Sequence, residues 1–576
     1  MYAGRILKID LSENYVKELR PDDKIYREFI GGSGIAVKLH LDMESHSKDP
    51  YGPENPVVIM TGPLTGSAPS CSKIQFTAKS PLTLGWGESN AGGKLAIYLK
   101  RAGWDGMIIV GKSRRPAYIH IDSNGAEIKK ADHLWGKTTY ETIEEIKKEE
   151  GNASVAAIGP AGENLVRYAC IILDNSRAAG RTGMGAVFGS KMLKAIAVSR
   201  DFTFSPEMAD PEKFMKAVRE LAGRVKDSFT ANMFKEVGTG GYVESAEMFG
   251  DLPVKYFTEG EFGKADRISS NYLIERYFRR HDGCMGCSIK CGKVLEYGGK
   301  EYHLPEYETL ASFGSLLLID SGESLIEINH LANSLGLDTI SCGVTIGMAM
   351  YLTEKNLADF GIKFGDAEKV KEYLKLIAYR QNHGDMLAEG TMRIEEKLGL
   401  NGIAAHVRGL EIPMHDPRAF FSLAVAYATN NRGACHLPHQ MYNVEMGLRI
   451  REYGIESSGR FENNGKGEIT AKMQNFAEIF NCLVMCVFVP AKPSHISSLL
   501  KFSTGFDYSP EKIYSTGEKI FNLKRKYNEL SGRGKEHDRL PDIVLHPVSG
   551  GTEGKVPDVR KQLQEYYDFR GWPSEF

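Results

Sequence analysis

Three cysteines, Cys284, Cys287 and Cys291, fall within the single run HDGCMGCSIKC. Thiolates packed this closely suit a soft metal centre, because the thiolate is the ligand and a tight loop gathers the sulfurs. An iron–sulfur cubane takes four such sulfurs, three of which can come from one loop and the last from far along the chain. The distant candidate is Cys486 in NCLVMCVF, with Cys482 as its near rival. Zinc could use the same three cysteines, although structural zinc loops more often pair one CxxC with another or with two histidines. Buried thiols without metal are the third reading.

Other segments also carry chemistry. ESNAGGKL (Glu88 to Leu95) and NSRAAGRTGMGAVFGSK (Asn175 to Lys191) are glycine-rich and flanked by Lys94, Arg177, Arg181 and Lys191. Backbone N–H groups in such loops converge on anions, and the cations add charge. Glycines serving tight turns is the plainer reading of each. Neither segment has dinucleotide-fingerprint or P-loop spacing, which argues against NAD and ATP. LPEYETLASFG places Glu306 and Glu308 around Tyr307 at a helix start, where a carboxylate also suits the helix dipole. NNRGACHLPH sets Arg432, Cys435 and His436 in a turn-rich run, and NSLGLDT ends a helix with Gly336 as C-cap.

The elements that must position these groups change character along the chain. Up to about residue 205, short β-branched runs such as NPVVIM, KIQFTAKS, GMIIVGKS and LKAIAVS alternate with glycine-rich turns. From about Pro206 the periodicity becomes helical, as in PEKFMKAVRELAGRV and ESLIEINHLANSLGL, and VRKQLQEYYDF closes the chain as a helix. The expected fold class is α+β. A β-rich base spans 1–205, a helical domain with the cysteine loop spans 206–412, and a second helical domain spans 413–576. With 576 residues, 42% of them apolar and 25% charged, the chain can bury large cores. A net charge of −2 gives no reason to expect nucleic acid or a membrane surface as partner. Apolar runs are too short to span a bilayer, and MYAGRILKIDL lacks a signal-peptide core. Nine cysteines, an odd number with three clustered, point to a reducing compartment, so a cytoplasmic location is expected.

Taken in order, YAGRILKIDL, GPLTGS, AKSPLT, GESNAGG, GRTGMGAVFGSK, CMGCSIKC, PEYETLASFG, GLDTIS, LEIPMHDPR, ATNNRGACHL and YYDFRGW resemble the tungsten-dependent aldehyde:ferredoxin oxidoreductase family almost end to end. The resemblance implies tungsten held by two molybdopterins (a tungstopterin) beside one Fe4S4 cluster, on a β base covered by two helical domains. It implies Cys284, Cys287, Cys291 and Cys486 as cluster ligands. The family pattern DxxGLCx, laid on NCLVMCV, selects Cys486 over Cys482. The same pattern with Asp sixth fits NSLGLDT. It implicates Asn333, Leu337 and Asp338, with Asn481 and Met485 in the second segment, in pterin contact. Asn333 and Asn481 depart from the family's Asp, which adds amide donors and removes a charge. Lys73, where the family has Arg, and Asn90, Gly92, Arg177, Ala178, Gly180 and Arg181 are implied to meet the pterin phosphates. A Mg2+ ion between those phosphates would be held by Asn90 and the Ala178 carbonyl, and Arg432 is implied near a pterin. Pro438 replaces a family lysine.

The same resemblance puts Glu308 and His436 beside the metal, with Tyr307 and His415 close by. It implies oxidation of an aldehyde by water to a carboxylate, with Glu308 as general base and His436 as hydrogen-bond donor. Electrons would leave through the cluster to ferredoxin or to a dedicated iron–sulfur subunit. His415 stands where relatives often have tyrosine, and an imidazole can change charge near neutrality. Glu327 and His330 resemble a subunit-bridging ExxH segment, but a solvated helix face is the expected reading. Homodimer and hetero-oligomer both stay open. Two alternatives to aldehyde oxidation are a reductive tungsten subunit of the benzoyl-CoA reductase type and a non-enzymatic, metal-stabilised electron-transfer protein.

Overall fold

The computed structural model describes residues 1–174, 177–456 and 458–573. Asn175 and Ser176, which open the second glycine-rich segment, lie outside the described residues. The N-terminal region holds two six-stranded sheets. The first uses β1 (Ile6–Asp10), β2 (Tyr15–Leu19), β3 (Val57–Met60), β4 (Ile74–Lys79), β5 (Trp86–Ala91) and β6 (Gly106–Val110), in the order β2-β1-β6-β3-β4-β5. The second uses β7 (Ala117–Asp122), β8 (Gly125–Lys130), β9 (Ala153–Ala157), β10 (Ile171–Leu173), β11 (Arg177–Ala179) and β12 (Leu193–Ser199), in the order β11-β10-β9-β12-β7-β8.

Alternation drives these strands together. Ile9, Ile59, Phe76 and Ile109 of the first sheet share one buried core with Ile119, Ile171, Leu173 and Ile196 of the second. The opposite face of the first sheet, through Val58, Met60 and Ile108, joins the core that the helices fill. The edge strand β11 lies against the edge strand β5, so the two glycine-rich segments meet. Parts of those segments are strands rather than turns. Small buried side chains at Gly87, Ser89 and Ala91 let β5 pair along all of β4.

Beyond residue 206 the chain is mostly helical, but one sheet interrupts it. β13 (Phe278–Asp282), β14 (Gly292–Tyr297) and β15 (Lys300–His303) form an antiparallel sheet, and the cysteine run is the loop between β13 and β14. The sequence FRRHD hides that strand because its residues are exposed or half-exposed, with no apolar alternation. A short hairpin, His406–Val407 with Leu410–Glu411, also lies in the helical region. Among the described residues no helix is long and apolar enough to cross a membrane.

The ExxH pair has partners within the chain rather than a purely solvated face. Glu327 bonds Lys371 at 2.7 Å, and the His330 ring lies 4.9 Å from Tyr140 and 5.1 Å from Tyr302.

Candidate active site and thiol cluster

The β13–β14 hairpin presents its cysteines to the end of β5. Met285 N–H donates to the Gly93 carbonyl at 3.1 Å, and a turn from Cys284 O to Cys287 N closes at the same length. A methyl group on Gly92 would stand 2.3 Å from Cys284 Sγ, so only glycine admits this approach. Cys486 arrives from the opposite side. It follows the helix Lys466–Leu483, and its N–H donates to Ser70 O at 3.0 Å. Cys284, Cys287, Cys291 and Cys486 line one cavity together with Ser70, Ser72 and Lys73. Cys482 instead is fully buried against Gly34. All four cavity cysteines are unpaired thiols. Burial pushes the Cys291 and Cys486 thiols up, so their thiolates call for a compensating cation. This donor set fits an iron–sulfur cluster.

Next to the cavity lie the groups singled out for anion and pterin contact. Arg177 meets Asp282 at 3.4 Å and Glu306 at 3.7 Å. Lys73 belongs to the thiol cavity, while Asn90 and Ala178 sit on the facing strands β5 and β11. Gly180 leads to Arg181, which donates to Ala434 O at 3.2 Å and to Glu411 O at 2.5 Å. Arg432 donates to Glu88 O at 3.1 Å and to Cys435 Sγ at 2.6 Å. Yet Nε of both arginines and Oδ2 of Asp338 are buried without a hydrogen-bond partner, although Arg181 Nε and Asp338 Oδ2 are 3.3 Å apart. Buried polar atoms are rarely left unsatisfied, so these orphans fit a polar group lying among them.

The two helix-end segments of the sequence are built alike. Helix Gly322–Leu335 ends at Gly336 in the left-handed region, and Asp338 then caps the helix Thr339–Glu354 through Ile340 N–H at 3.1 Å. Helix Lys466–Leu483 ends at Val484, also left-handed at φ 49°, just before Met485 and Cys486. Asn333 donates to Asn329 at 3.1 Å. Asn481 bonds Glu478, which shares the buried ammonium of Lys524 with Glu88. Leu337 and Met485 are buried.

The third group is the reacting one. Glu308 opens the helix Tyr307–Phe313, and its Oε2 accepts Met414 N–H at 2.8 Å, which leaves Oε1 free. His436 Nδ1 stands 3.2 Å from that Oε1, and His415 Nε2 stands 3.6 Å from it. Potential donor atoms of the three side chains lie within 4.8 Å of one another. Glu308 Oε1 and His436 Nδ1 are both buried without a hydrogen-bond partner. Tyr307 supports the trio: its hydroxyl donates to Met414 O at 2.7 Å and its ring lies 4.9 Å from His415.

The two imidazoles are pushed in opposite directions. Burial pushes His436 down to about 3, so it stays neutral. Burial also acts on His415, but Asp251 and Glu308 outweigh it and hold its pKa above the usual value. Sequence reasoning missed Asp251, Tyr242 and Tyr442 around His415, as well as the Lys524–Glu88–Glu478 group. Apart from Glu88, which opens the ESNAGGKL segment, none of these belongs to a motif, and only the tertiary fold brings them in.

The β base and helical region thus carry a four-thiol cavity and a carboxylate flanked by two histidines. The family model "aldehyde ferredoxin oxidoreductase, N-terminal domain" matches residues 6–200, and "domains 2 & 3" of the same enzyme match residues 216–575. The chain belongs to the aldehyde ferredoxin oxidoreductase family. It is 36% identical to the tungsten-containing aldehyde ferredoxin oxidoreductase of Thermococcus kodakarensis over 99% of this chain and 96% of that one. It is 30% identical to the WOR-like subunit of an aliphatic sulfonate oxidoreductase of Pyrococcus furiosus, over 99% and 94% of the two chains. Its fold matches a chain of the active-site complex of benzoyl coenzyme A reductase with a TM-score of 0.85, at 24% identity, covering 100% and 95% of the two chains.

Proposed function

We propose that this chain oxidises aldehydes, RCHO + H2O → RCOO− + 3H+ + 2e−, and passes the electrons through an Fe4S4 cluster to ferredoxin or to a dedicated iron–sulfur subunit. The observation that carries the reading is the free pair Glu308 Oε1 and His436 Nδ1, buried 3.2 Å apart and without hydrogen-bond partners. A carboxylate beside a neutral imidazole is a base next to a hydrogen-bond donor. That is what addition of water to a carbonyl requires.

In this reading Cys284, Cys287, Cys291 and Cys486 hold the cluster. Arg181, Arg432, Asp338, Leu337, Asn333, Asn481 and Met485 hold a tungsten bis-molybdopterin. Lys73, Asn90, Gly92, Arg177, Ala178, Gly180 and Arg181 would meet its phosphates, and Asn90 and the Ala178 carbonyl would help hold Mg2+. When bound, the tungsten centre supplies Lewis acidity and accepts the electron pair. The protein's own part is acid–base work. Glu308, oriented by Met414 N–H, takes a proton from the attacking water at Oε1. His436, kept neutral by burial, donates its Nδ1–H to the aldehyde oxygen and steadies the charge that develops there. Tyr307 and His415 wall the pocket and fix the face on which the aldehyde lies. The proposed domain limits are 205/206 and 412/413, and the proposed location is the cytoplasm.

The test is anaerobic purification followed by metal analysis and an aldehyde screen with benzyl viologen as acceptor. Stoichiometric tungsten and iron with aldehyde-dependent dye reduction is the expected result. Zinc alone, or full metal loading without turnover of any aldehyde, overturns the proposal.

A further inference from the structure

A buried acid outside the reacting trio touches it. Asp251 follows the helix Val243–Phe249, and its Oδ2 stands 2.6 Å from His415 Nδ1. The other imidazole nitrogen faces Glu308 Oε1 at 3.6 Å. Tyr242 donates its hydroxyl to the same Oδ2 at 3.1 Å. The His415 ring cannot turn away. It stacks on Tyr442 with centroids 4.8 Å apart and planes 6° from parallel, and Tyr307 flanks it. Its backbone is pinned as well, because Tyr427 donates to His415 O at 2.8 Å.

We infer that Asp251 is a positioning residue of the reaction, which through His415 Nδ1 aims a protonated Nε2–H at Glu308 Oε1 and the space shared with His436. This rests on the aldehyde reading given above. A carboxylate behind an imidazole fixes its tautomer and favours its charged form. Glu308 Oε1 therefore stands between an imidazole backed by a buried acid and one kept neutral by burial. An Nε2–H directed at Oε1 offsets negative charge on the carboxylate product. No group is consumed: His415 keeps its proton, 3.6 Å from Glu308 Oε1, and Oε1 stays open to the proton of the attacking water.

Polar and titratable groups face His415 from every element packed against it. They are Asp251 and Tyr242 behind it, Tyr307 and Glu308 from one helix, and Tyr427 from another. Cys435 and His436 come from the loop that follows, and Tyr442 from the next helix. Asp251 is the acid bonded directly to the ring, so its charge sets the titration.

The decisive comparison uses the metal-loaded enzyme with Asp251→Asn and Tyr242→Phe. Asp251→Asn keeps the shape but removes the charge. Its kcat at neutral pH should fall by about tenfold or more, with KM little changed, and the alkaline arm of the pH profile should move by about one unit toward acid. Tyr242→Phe removes only a hydroxyl that disperses the carboxylate charge, so the same arm should move the other way. Asp251→Glu should recover part of the rate.

Independently of turnover, the [13Cε1]-histidine NMR signal that vanishes in His415→Gln should titrate above 6.5 in the wild type and lower in Asp251→Asn. A wild-type pH profile and kcat in Asp251→Asn, with an unmoved His415 signal, overturns this inference alone. Absence of aldehyde turnover in fully metallated wild type overturns the parent reading, and this one with it.

Discussion

At the scale of single residues, the chemistry reduces to who holds a proton and who binds metal. Glu308→Gln keeps the Met414 contact through its amide oxygen but cannot take a proton. It should retain tungsten and iron while aldehyde oxidation falls by about 10²–10⁴-fold, the usual worth of a general base. Anaerobic dye-reduction rates normalised to metal content check this. Cys486→Ser should lose most of the cluster's visible absorption and iron. Cys482→Ser, whose sulfur is buried away from the cavity, should keep both. Equal iron in the two variants would remove Cys486 from the ligand set.

Among elements, the two helix ends that approach the site show one backbone solution with two side-chain choices. Gly336 turns at φ 79° with Gly159 N only 2.9 Å from where a Cβ would stand. Gly336→Ala therefore combines a disfavoured left-handed turn with a backbone clash. A loss of about 2 kcal/mol is expected, read as a lower midpoint of unfolding. Val484 holds the matching turn as a β-branched residue, a conformation such side chains rarely adopt.

Most elements were legible before the fold was known. The β-branched runs NPVVIM, KIQFTAKS, GMIIVGKS and LKAIAVS form β3, β4, β6 and β12, and PEKFMKAVRELAGRV forms the helix Pro211–Asp227. β13 was not legible, because its residues face solvent and carry no period. β5 and β11 were masked by glycine and alanine, whose small size serves close packing as readily as turns. In the site, Cys284, Glu308 and His436 could be singled out from motifs. Asp251 could not, since nothing in MFGDLP marks it, and its meaning comes only from His415 lying far along the chain.

For the molecule as a whole, buried imidazoles set the response to acid. His40, His406, His436 and His439 are all held down to about 3 by burial. Unfolded histidines take up protons near 6.5, so below that pH the unfolded chain binds more protons than the folded one. Stability is therefore complete above about pH 6.5 and falls between there and pH 3, by up to about 1.4 kcal/mol per pH unit for each imidazole. His415 has the opposite sign, since its pKa is raised; its contribution is present below 6.5 and fades as pH rises through its folded value. Unfolding midpoints from pH 8 to pH 4 should thus drop on the acid side. His40→Gln, remote from the thiol cavity and hydrogen-bonded to Ser45 and Thr77, should shallow that drop by one proton's worth. A flat midpoint across this range would contradict the assignment of neutral buried imidazoles.

The four thiols of the cavity come from two places, a hairpin loop near mid-chain and Cys486 in the last sixth of the chain. During biosynthesis the ribosome therefore releases the hairpin's trio long before its fourth member emerges. A cubane delivered early would meet an open corner prone to oxidative loss. On the proposed cluster assignment maturation follows translation, and a culture starved of iron delivery should accumulate full-length, unmetallated polypeptide rather than partly loaded fragments.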